Sequence, residues 1–351
     1  MSSLDEKKVF ERYDPEGMLE HLHRLPELCK QAWQMAVEFD LPQDYKECDK
    51  VVISGMGGSA IGGWLVKSLV ESEARLPVFV YSNYGLPAFV SSKTLFIASS
   101  YSGMTEETLS SFEQSLKSEA KKLALTTGGK LRAMAEENNI PVFIFAYPSP
   151  PRAALPFSFL PILCFLGKLG FIGDKSEDIA EMIQVLEKEE EEIDEKVPSK
   201  DNPAKQLAQN LYGKLAIIYG AGITSEVAHR WKTQLNENSK TFAFYEVFPE
   251  LNHNAVVGYQ FPKELVDKLG IIFLRSELLS QRIKLRFEVT SELLKRAGVS
   301  HYFVDGKGKS PLSQMMSLVL FGDYVSYYLA ILNEINPTSI EAIDYLKERL
   351  R

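Results

Sequence analysis

The sequence predicts an α/β protein with two similar domains, each a doubly wound parallel sheet flanked by helices. Short apolar runs alternate with amphipathic stretches, as in the right-handed crossovers that build parallel sheets. An apolar strand, a glycine turn and a helix start occur together twice, at residues 51–63 and 215–232. The second half of the chain therefore has the character of a divergent copy of the first.

Composition limits the function classes. The chain has 351 residues, 45% hydrophobic and 25% charged, which is typical of one large or two ordinary globular domains. The net charge of -8 argues against a nucleic-acid partner, because phosphate backbones select a basic face. The charged start lacks the core of a signal peptide, and no run of about 18 apolar residues suggests a membrane span. We therefore expect a cytoplasmic protein without a membrane partner.

Cysteine and histidine positions give no metal signal. Cys29, Cys48 and Cys164 are too few and too scattered for a disulfide framework or a zinc cluster, so we expect reduced packing residues. His21 and His23 stand two residues apart, a spacing that does not share a helix face. We expect both histidines to be solvated rather than paired on a metal.

The first half of the chain is expected to contain a helical segment and one domain. Apolar residues recur at helical spacing between residues 15 and 39, which predicts one or two amphipathic helices within an N-terminal segment, residues 1–45. Residues 46–173 form the first predicted domain. Its strands alternate with helices and are expected near residues 51–54, 76–85, 94–99, 121–129 and 141–149.

An acidic segment, residues 174–204, follows this domain, with EKEEEEIDEK near its centre and prolines at its end. It predicts a solvated linker helix. The second domain, residues 205–351, is expected to end in helices that break near residues 336–338. Its strands are expected to begin near residue 215 and to occupy residues 241–248, 269–276 and 299–306.

The glycine turn at residues 51–63 predicts a phosphate site. Glycines let backbone N–H groups approach an anion, and the new helix directs its positive dipole end to the same point. Gly55, Gly57 and Ala60 also satisfy the loose dinucleotide pattern, but the next strand ends in Tyr-Ser-Asn at residues 81–83, without a carboxylate for the ribose. A Walker loop is excluded because no Gly-Lys-Ser/Thr follows the turn.

A second loop adds hydroxyl groups. Ser100, Ser102 and Thr105 stand at the start of a predicted helix, beside Gly103. They could simply cap the helix and satisfy a turn. One hydroxyl suffices for a cap, so three within six residues favour binding of a compact phosphate monoester. The last strand of the domain leads into SPPR, residues 149–152, at the carboxyl edge where such sheets bind ligands.

Several motifs occur in one order along most of the chain, namely GMGGSAIGG, SYSGMTEET, PPRAAL, NENSK and PELNHNAVVGY. Together they resemble the bifunctional phosphoglucose/phosphomannose isomerases of the sugar isomerase (SIS) fold, in the phosphoglucose isomerase superfamily. The resemblance implies two SIS-type, flavodoxin-like domains. It also implies an aldose–ketose isomerase that interconverts glucose 6-phosphate and mannose 6-phosphate with fructose 6-phosphate. The implied reaction passes through an enediol and uses no metal or cofactor.

The resemblance assigns roles to single residues. Glu237 would be the base at the C1 and C2 atoms, and His253 would assist ring opening from the second subunit of a homodimer. Arg152 would face the developing enediolate oxygen, and Lys347 would contact substrate hydroxyls. The implied phosphate ligands are Ser59, Ser100, Ser102 and Thr105, with Gly57 and Gly58 admitting the sugar close to the backbone.

Simpler interpretations exist for each of these residues. Glu237 could be a surface glutamate, His253 a turn histidine, Arg152 a surface ion pair and Lys347 a solvated lysine. Two positions depart from the family pattern, since Trp64 replaces the usual Asp and Met104 replaces an Asn in the phosphate loop. The alternative function is a non-catalytic SIS module that senses a sugar phosphate, which would need both loops but not the three catalytic candidates together.

Overall fold

The computed structural model describes residues 4–350, which divide into two compact units. The first unit contains residues 25–183, and the second contains residues 4–24 together with residues 184–350. The division falls inside the acidic segment. The limits of the four expected segments stay predictions, because compactness alone does not define them.

Helices and strands alternate through most of the chain. The helices are α1 (Lys7–Tyr13), α2 (Met18–His23), α3 (Leu25–Glu38), α4 (Gly57–Val70), α5 (Glu106–Leu116), α6 (Gly129–Glu137), α7 (Leu155–Lys168), α8 (Ser176–Ile193), α9 (Pro203–Leu211), α10 (Ser225–Glu237), α11 (Gln281–Ala297), α12 (Pro311–Leu332) and α13 (Glu341–Arg349). The strands are β1 (Lys50–Ser54), β2 (Val78–Tyr81), β3 (Thr94–Ser99), β4 (Lys121–Thr126), β5 (Val142–Ile144), β6 (Leu215–Ala221), β7 (Ala243–Phe248), β8 (Leu269–Arg275) and β9 (Ser300–Asp305).

The sheet of the first unit is parallel throughout, in the order β2-β1-β3-β4-β5. The strand order reverses between β1 and β3, where Ser54 pairs with Ala98. Ligands of open α/β sheets bind outside the carboxyl ends of the strands at such a reversal. The glycine turn after β1 and the hydroxyl-rich loop after β3 therefore begin side by side.

The sheet of the second unit repeats this arrangement, with the parallel order β7-β6-β8-β9. Gly57 and Gly222, which follow the first strand of each sheet, both have a φ of 51°. The predicted fold class, two doubly wound parallel sheets flanked by helices, is confirmed. The predicted internal duplication accounts for the repeated strand order.

Each unit is organised around a buried helix. Every residue of α7 from Leu155 to Leu166 is buried, and α7 packs against α3 and α4. In the second unit α12 packs against α9 and α10. By length and composition alone α12 could cross a membrane, but its apolar window is 100% buried, as in the core helix of a globular unit.

The acidic segment forms a helix, α8, that is less solvated than we expected. An apolar stripe recurs along it at helical spacing and is buried: Ile179, Met182, Leu186 and Ile193. Glu189 is only 2% exposed. The glutamates dominate the composition, but the apolar residues between them decide how the helix packs.

The three cysteines are free and buried, and burial raises the pKa of the Cys48 and Cys164 thiols to about 11.

Candidate functional site

The glycine turn after β1 brings two distant segments together. Gly57 has open space on its side-chain face, since a Cβ placed there would have nothing within 4 Å. At Gly58, a Cβ would lie 3.0 Å from the Pro151 carbonyl oxygen and 3.2 Å from the Arg152 nitrogen. Gly57 therefore has open space at its Cβ position, whereas the Cβ position of Gly58 is filled by the chain itself. Gly58 serves the contact between α4 and the segment that carries Arg152.

The hydroxyl groups lie on the adjoining loops. Ser59 Oγ accepts a hydrogen bond of 3.0 Å from the backbone N–H of Tyr101. The Ser100 hydroxyl donates to Thr105 Oγ1 at 3.0 Å. Thr105 is the N-cap residue of α5, yet its side chain makes no capping hydrogen bond. Helix capping therefore does not explain this hydroxyl, which favours the interpretation as a ligand site.

Met104 and Ser102 complete the same loop. Met104 is 59% exposed, and its N–H donates to Ser102 Oγ at 3.2 Å. Its sulfur accepts from the N–H of Lys130, at the start of α6, at 3.4 Å. The methionine thus supports the neighbouring helix where the family asparagine would offer an amide. The other departure, Trp64, is half-buried in α4, with the Lys67 ammonium 5.0 Å from the centre of its ring.

Tyr101 ties the phosphate loop to two other strand ends. Its hydroxyl donates to the Tyr147 carbonyl at 2.7 Å and accepts from the Ser149 N–H at 3.0 Å. Its own carbonyl accepts from the N–H and the hydroxyl of Thr127, at 3.1 and 2.8 Å. The sequence places Tyr101 within a motif but assigns it no role. The available signal was one large aromatic residue among the small polar residues of SYSGMT.

Arg152 lies three residues beyond the segment that Tyr101 holds, in the short 3-10 helix Pro151–Ala154. It is 3% exposed, so the simple interpretation as a surface ion pair does not hold. Its backbone lies against Gly58. The first unit therefore brings together both phosphate loops and a buried cation, from segments far apart in the sequence.

Glu237 is the last residue of α10 and lines a cavity of about 580 Å³ in the second unit. Such a volume suits a small ligand. The Lys240 ammonium donates to the carbonyl of Glu237 at 2.9 Å and to that of Asn336 at 2.8 Å, which joins two walls of the cavity. The lining residues are Asn236, Glu237, Lys240, Ile335, Asn336, Ser339, Ile340, Glu341, Ala342 and Ile343.

The NENSK turn is fixed from its buried side. The Asn238 amide donates to Ser326 Oγ at 2.9 Å, and the Ser239 hydroxyl donates to the Leu235 carbonyl at 2.6 Å. The Asn333 amide donates to the Ser239 carbonyl at 2.9 Å. Both polar residues after Glu237 thus hold the main chain of the turn. They position the carboxylate through the backbone that carries it.

Lys347 and His253 are both exposed. Lys347 stands one helical turn after Ile343, which lines the Glu237 cavity, so the two share a face of α13. His253 ends the 3-10 turn Glu250–His253, and among the described residues it is not part of that cavity's lining. Asn252 anchors this turn through a hydrogen bond of 2.9 Å to Thr290 Oγ1.

Two comparisons with known proteins define the class to which these sheets belong. The model of the bacterial phospho-glucose isomerase C-terminal SIS domain matches residues 200–350. The structure of a hypothetical protein from Thermus thermophilus has a TM-score of 0.74 at 18% identity, covering 98% of this chain and 92% of that chain. The second sheet therefore belongs to a domain of the SIS class, and the chain as a whole shares the fold of the Thermus thermophilus protein.

Relatives of known name narrow the class to a family. This chain is 43% identical over 336 residues to a bifunctional phosphoglucose/phosphomannose isomerase from Caldicellulosiruptor bescii, covering 95% of this chain and 98% of the relative. The enzyme of the same name from Aquifex aeolicus is 35% identical over 313 residues, covering 89% and 93%. The chain belongs to the bifunctional phosphoglucose/phosphomannose isomerase family. It is an enzyme of the isomerase class, which confirms the resemblance and excludes the sensor alternative.

Proposed function

We propose that this chain interconverts glucose 6-phosphate and mannose 6-phosphate with fructose 6-phosphate. The observation that carries the proposal is the 43% identity, over 95% of the chain, to a relative that is named for both activities. Removal of the C2 proton from either aldose epimer gives the same enediol. One base therefore serves both sugars, provided that the pocket accepts both configurations at C2.

The two loops of the first unit are the proposed phosphate site. Ser59, Ser100, Ser102 and Thr105 offer hydroxyls beside the N-terminus of α4, whose N–H groups and dipole favour an anion. Support comes from the Ser100–Thr105 hydrogen bond of 3.0 Å, which orients two hydroxyls that no helix cap uses. The open face of Gly57 admits the sugar close to the backbone.

Proton transfer is assigned to Glu237. Its carboxylate would take the proton from C2 of the open aldose, while the C1 carbonyl oxygen becomes the enediolate oxygen. Transfer of the C2 hydroxyl proton to this oxygen and return of a proton to C1 then give the ketose. The sugar supplies and receives all electrons, so the proposal includes no redox cofactor and no catalytic metal. Support comes from the position of Glu237 in the wall of a ligand-sized cavity.

The remaining roles concern charge and ring opening. Arg152 would stabilise the enediolate oxygen, because a buried fixed cation acts on charge that develops only during the reaction. Lys347 would bind sugar hydroxyls from α13. His253 would move the proton between ring oxygen and hydroxyl as the ring opens, because an imidazole can accept and donate protons near neutral pH.

A homodimer with shared sites is part of the proposal. The exposure of His253 supports its contribution to a second subunit, and the segment after it exposes Val257 and Phe261 at 79% and 71%. Exposed apolar side chains of this size are common at protein interfaces. We also place the enzyme in glycolysis and gluconeogenesis, and in the cytoplasm, a location that the buried free cysteines support.

The test is a coupled assay with glucose 6-phosphate and mannose 6-phosphate, with and without a chelator, on wild type, Glu237→Gln and Glu226→Gln. Glu226 lies at the other end of α10, so its variant is the matched control. We expect turnover of both sugars, no short-term chelator effect, and lost turnover with retained substrate binding in Glu237→Gln alone. Undiminished isomerisation by Glu237→Gln would remove the base assignment. Turnover of one sugar alone would refute the bifunctional proposal.

A further inference from the structure

A half-buried group of metal-ligating side chains lies in the second unit and shares no residue with the proposed substrate site. His23 ends α2, and Asp194 and Glu195 directly follow α8. His23 Nε2 lies 3.0 Å from Glu195 Oε2 and 3.7 Å from Asp194 Oδ2. His23 is therefore not the solvated residue that the sequence led us to expect, because tertiary structure brings it to residues about 170 positions away.

The spacing of these atoms matches that around a shared ion. Tetrahedral Zn²⁺ with ligand bonds of about 2.0–2.2 Å separates neighbouring ligand atoms by about 3.3–3.6 Å, with a centre near 3.4 Å. The two measured separations, 3.0 and 3.7 Å, lie on either side of this value, and one ligand atom from each residue lies within 4.8 Å of the others. One imidazole and two carboxylates form a ligand set suited to a divalent transition metal.

The surroundings favour a cation. Asp194 and Glu195 follow the C-terminus of the 18-residue α8, and His23 stands at the C-terminus of α2, where helix dipoles are negative. Glu190 adds a third carboxylate, half-buried one turn before Asp194. The buried Lys205 ammonium donates to the main-chain carbonyl of Glu195 at 2.7 Å. Besides His23, the described ion pairs place Lys196 on both carboxylates, 3.5 Å from each. Its side chain is 79% exposed and therefore free to swing into solvent.

An independent observation is the buried hydroxyl of Tyr324. This side chain has no exposed surface, and among the described residues its hydroxyl has no hydrogen-bond partner. Its ring lies 6.4 Å from that of His23. A buried hydroxyl without a partner, on a ring beside His23, calls for an additional group there.

We propose that His23, Asp194 and Glu195 bind one divalent transition-metal ion of the Zn²⁺ type, which joins the end of α2 to the end of α8. Three protein ligands leave a fourth position for water, and this water is a partner for the Tyr324 hydroxyl. The ion stabilises the second unit and takes no part in isomerisation. The site does not depend on the assignment of catalytic residues.

The experiment measures binding of Zn²⁺, and of Co²⁺ as a coloured substitute, to the full chain after chelator treatment. Calorimetry should show one tight site per chain, the visible spectrum of Co²⁺ should indicate tetrahedral coordination, and Zn²⁺ should raise the melting temperature. His23→Gln and Glu195→Gln should each weaken Zn²⁺ binding by about tenfold or more. The apo variants should retain isomerase activity, which shows that they fold.

The matched control is His229→Gln. His229 Nδ1 lies 3.1 Å from Glu226 Oε2, so it is also a histidine paired with a glutamate, but it belongs to no three-ligand group among the described residues. This variant should bind Zn²⁺ as the wild type does. The proposal is overturned if the wild type shows no tight site, if Co²⁺ gives only an octahedral spectrum, or if His23→Gln and His229→Gln bind alike.

Discussion

Tyr101→Phe tests whether one hydroxyl holds the phosphate loop and the Arg152 segment in register. The substitution removes the bonds of 2.7 Å to Tyr147 and 3.0 Å to Ser149 but keeps the ring, which lies 6.1 Å from that of Phe145. The part-buried Ser149 N–H then loses its acceptor, while the Tyr147 carbonyl retains the longer bond of 3.4 Å from the Ser149 hydroxyl. Groups left unsatisfied in this way cost about 1–3 kcal/mol. We expect the free energy of unfolding to fall by about this amount.

The effect on catalysis should exceed the effect on substrate binding. Ser59 is held by the backbone N–H of Tyr101, which the substitution leaves in place, so KM should change by less than about threefold. Arg152 follows the released segment, and a displacement of about 1 Å can lower turnover by about 100-fold. We therefore expect kcat to fall by about 10- to 100-fold. Urea unfolding and the coupled assay measure the two quantities.

Tyr81→Phe is the matched control for this experiment. The Tyr81 hydroxyl also donates to a backbone carbonyl, that of Tyr84, at 2.6 Å, but on the exposed end of β2. It should leave kcat within about twofold of the wild-type value, because surface changes are usually small. Equal kcat values for Tyr101→Phe, Tyr81→Phe and the wild type would refute a positioning role for the Tyr101 hydroxyl.

Two further substitutions probe burial and close packing. Burial raises the pKa of Glu189 to about 7 from its ordinary 4.5, although Lys307 lies 3.3 Å away. The neutral Glu189 carboxyl makes its full contribution to stability below pH 4.5, and this contribution is lost as the pH rises through about 7. Between pH 5 and 8 the free energy of unfolding of the wild type should therefore fall by up to roughly 3 kcal/mol more than that of Glu189→Gln. Urea unfolding measures this difference. Gly58→Ala places a methyl group 3.0 Å from the Pro151 carbonyl oxygen and should lower the free energy of unfolding by about 1–3 kcal/mol and remove most of the activity. Gly173→Ala places its methyl group with nothing within 4 Å and should change neither quantity. Equal pH dependence in the first pair, or equal losses in the second, would contradict these expectations.

Local sequence patterns predicted most of the fold. Apolar strands, glycine turns and amphipathic helices are properties of 10 to 20 neighbouring residues. The positions of β1 to β9 along the chain could therefore be predicted from the sequence. The packing of α8 did not, because its glutamates concealed a buried stripe. The strand-end loops were also predictable as places, since parallel strands direct their carboxyl ends to one edge.

The contacts that arrange the site were not predictable in the same way. Tyr101 meets Tyr147, and Gly58 meets Pro151, across separations that no local pattern encodes. Glu237 was found through a motif, but its cavity requires the chain after α12. His23 was misjudged because helix spacing describes only neighbours on its own helix. Residue types indicated the chemistry, whereas tertiary contacts decide which groups meet.

The membership of residues 4–24 in the second unit has a consequence for synthesis on the ribosome. Phe10 stacks on Tyr327 at 6.1 Å, and Asp14 accepts a hydrogen bond from the Tyr327 hydroxyl across 313 positions of sequence. Lys205, fully buried, pairs with Asp5 at 3.2 Å. The first unit can complete its core while the chain is still emerging, because its residues are consecutive. Residues 4–24 leave the ribosome long before α12 has been made, so Phe10 stays uncovered until then, and this segment is a natural client for a chaperone during synthesis.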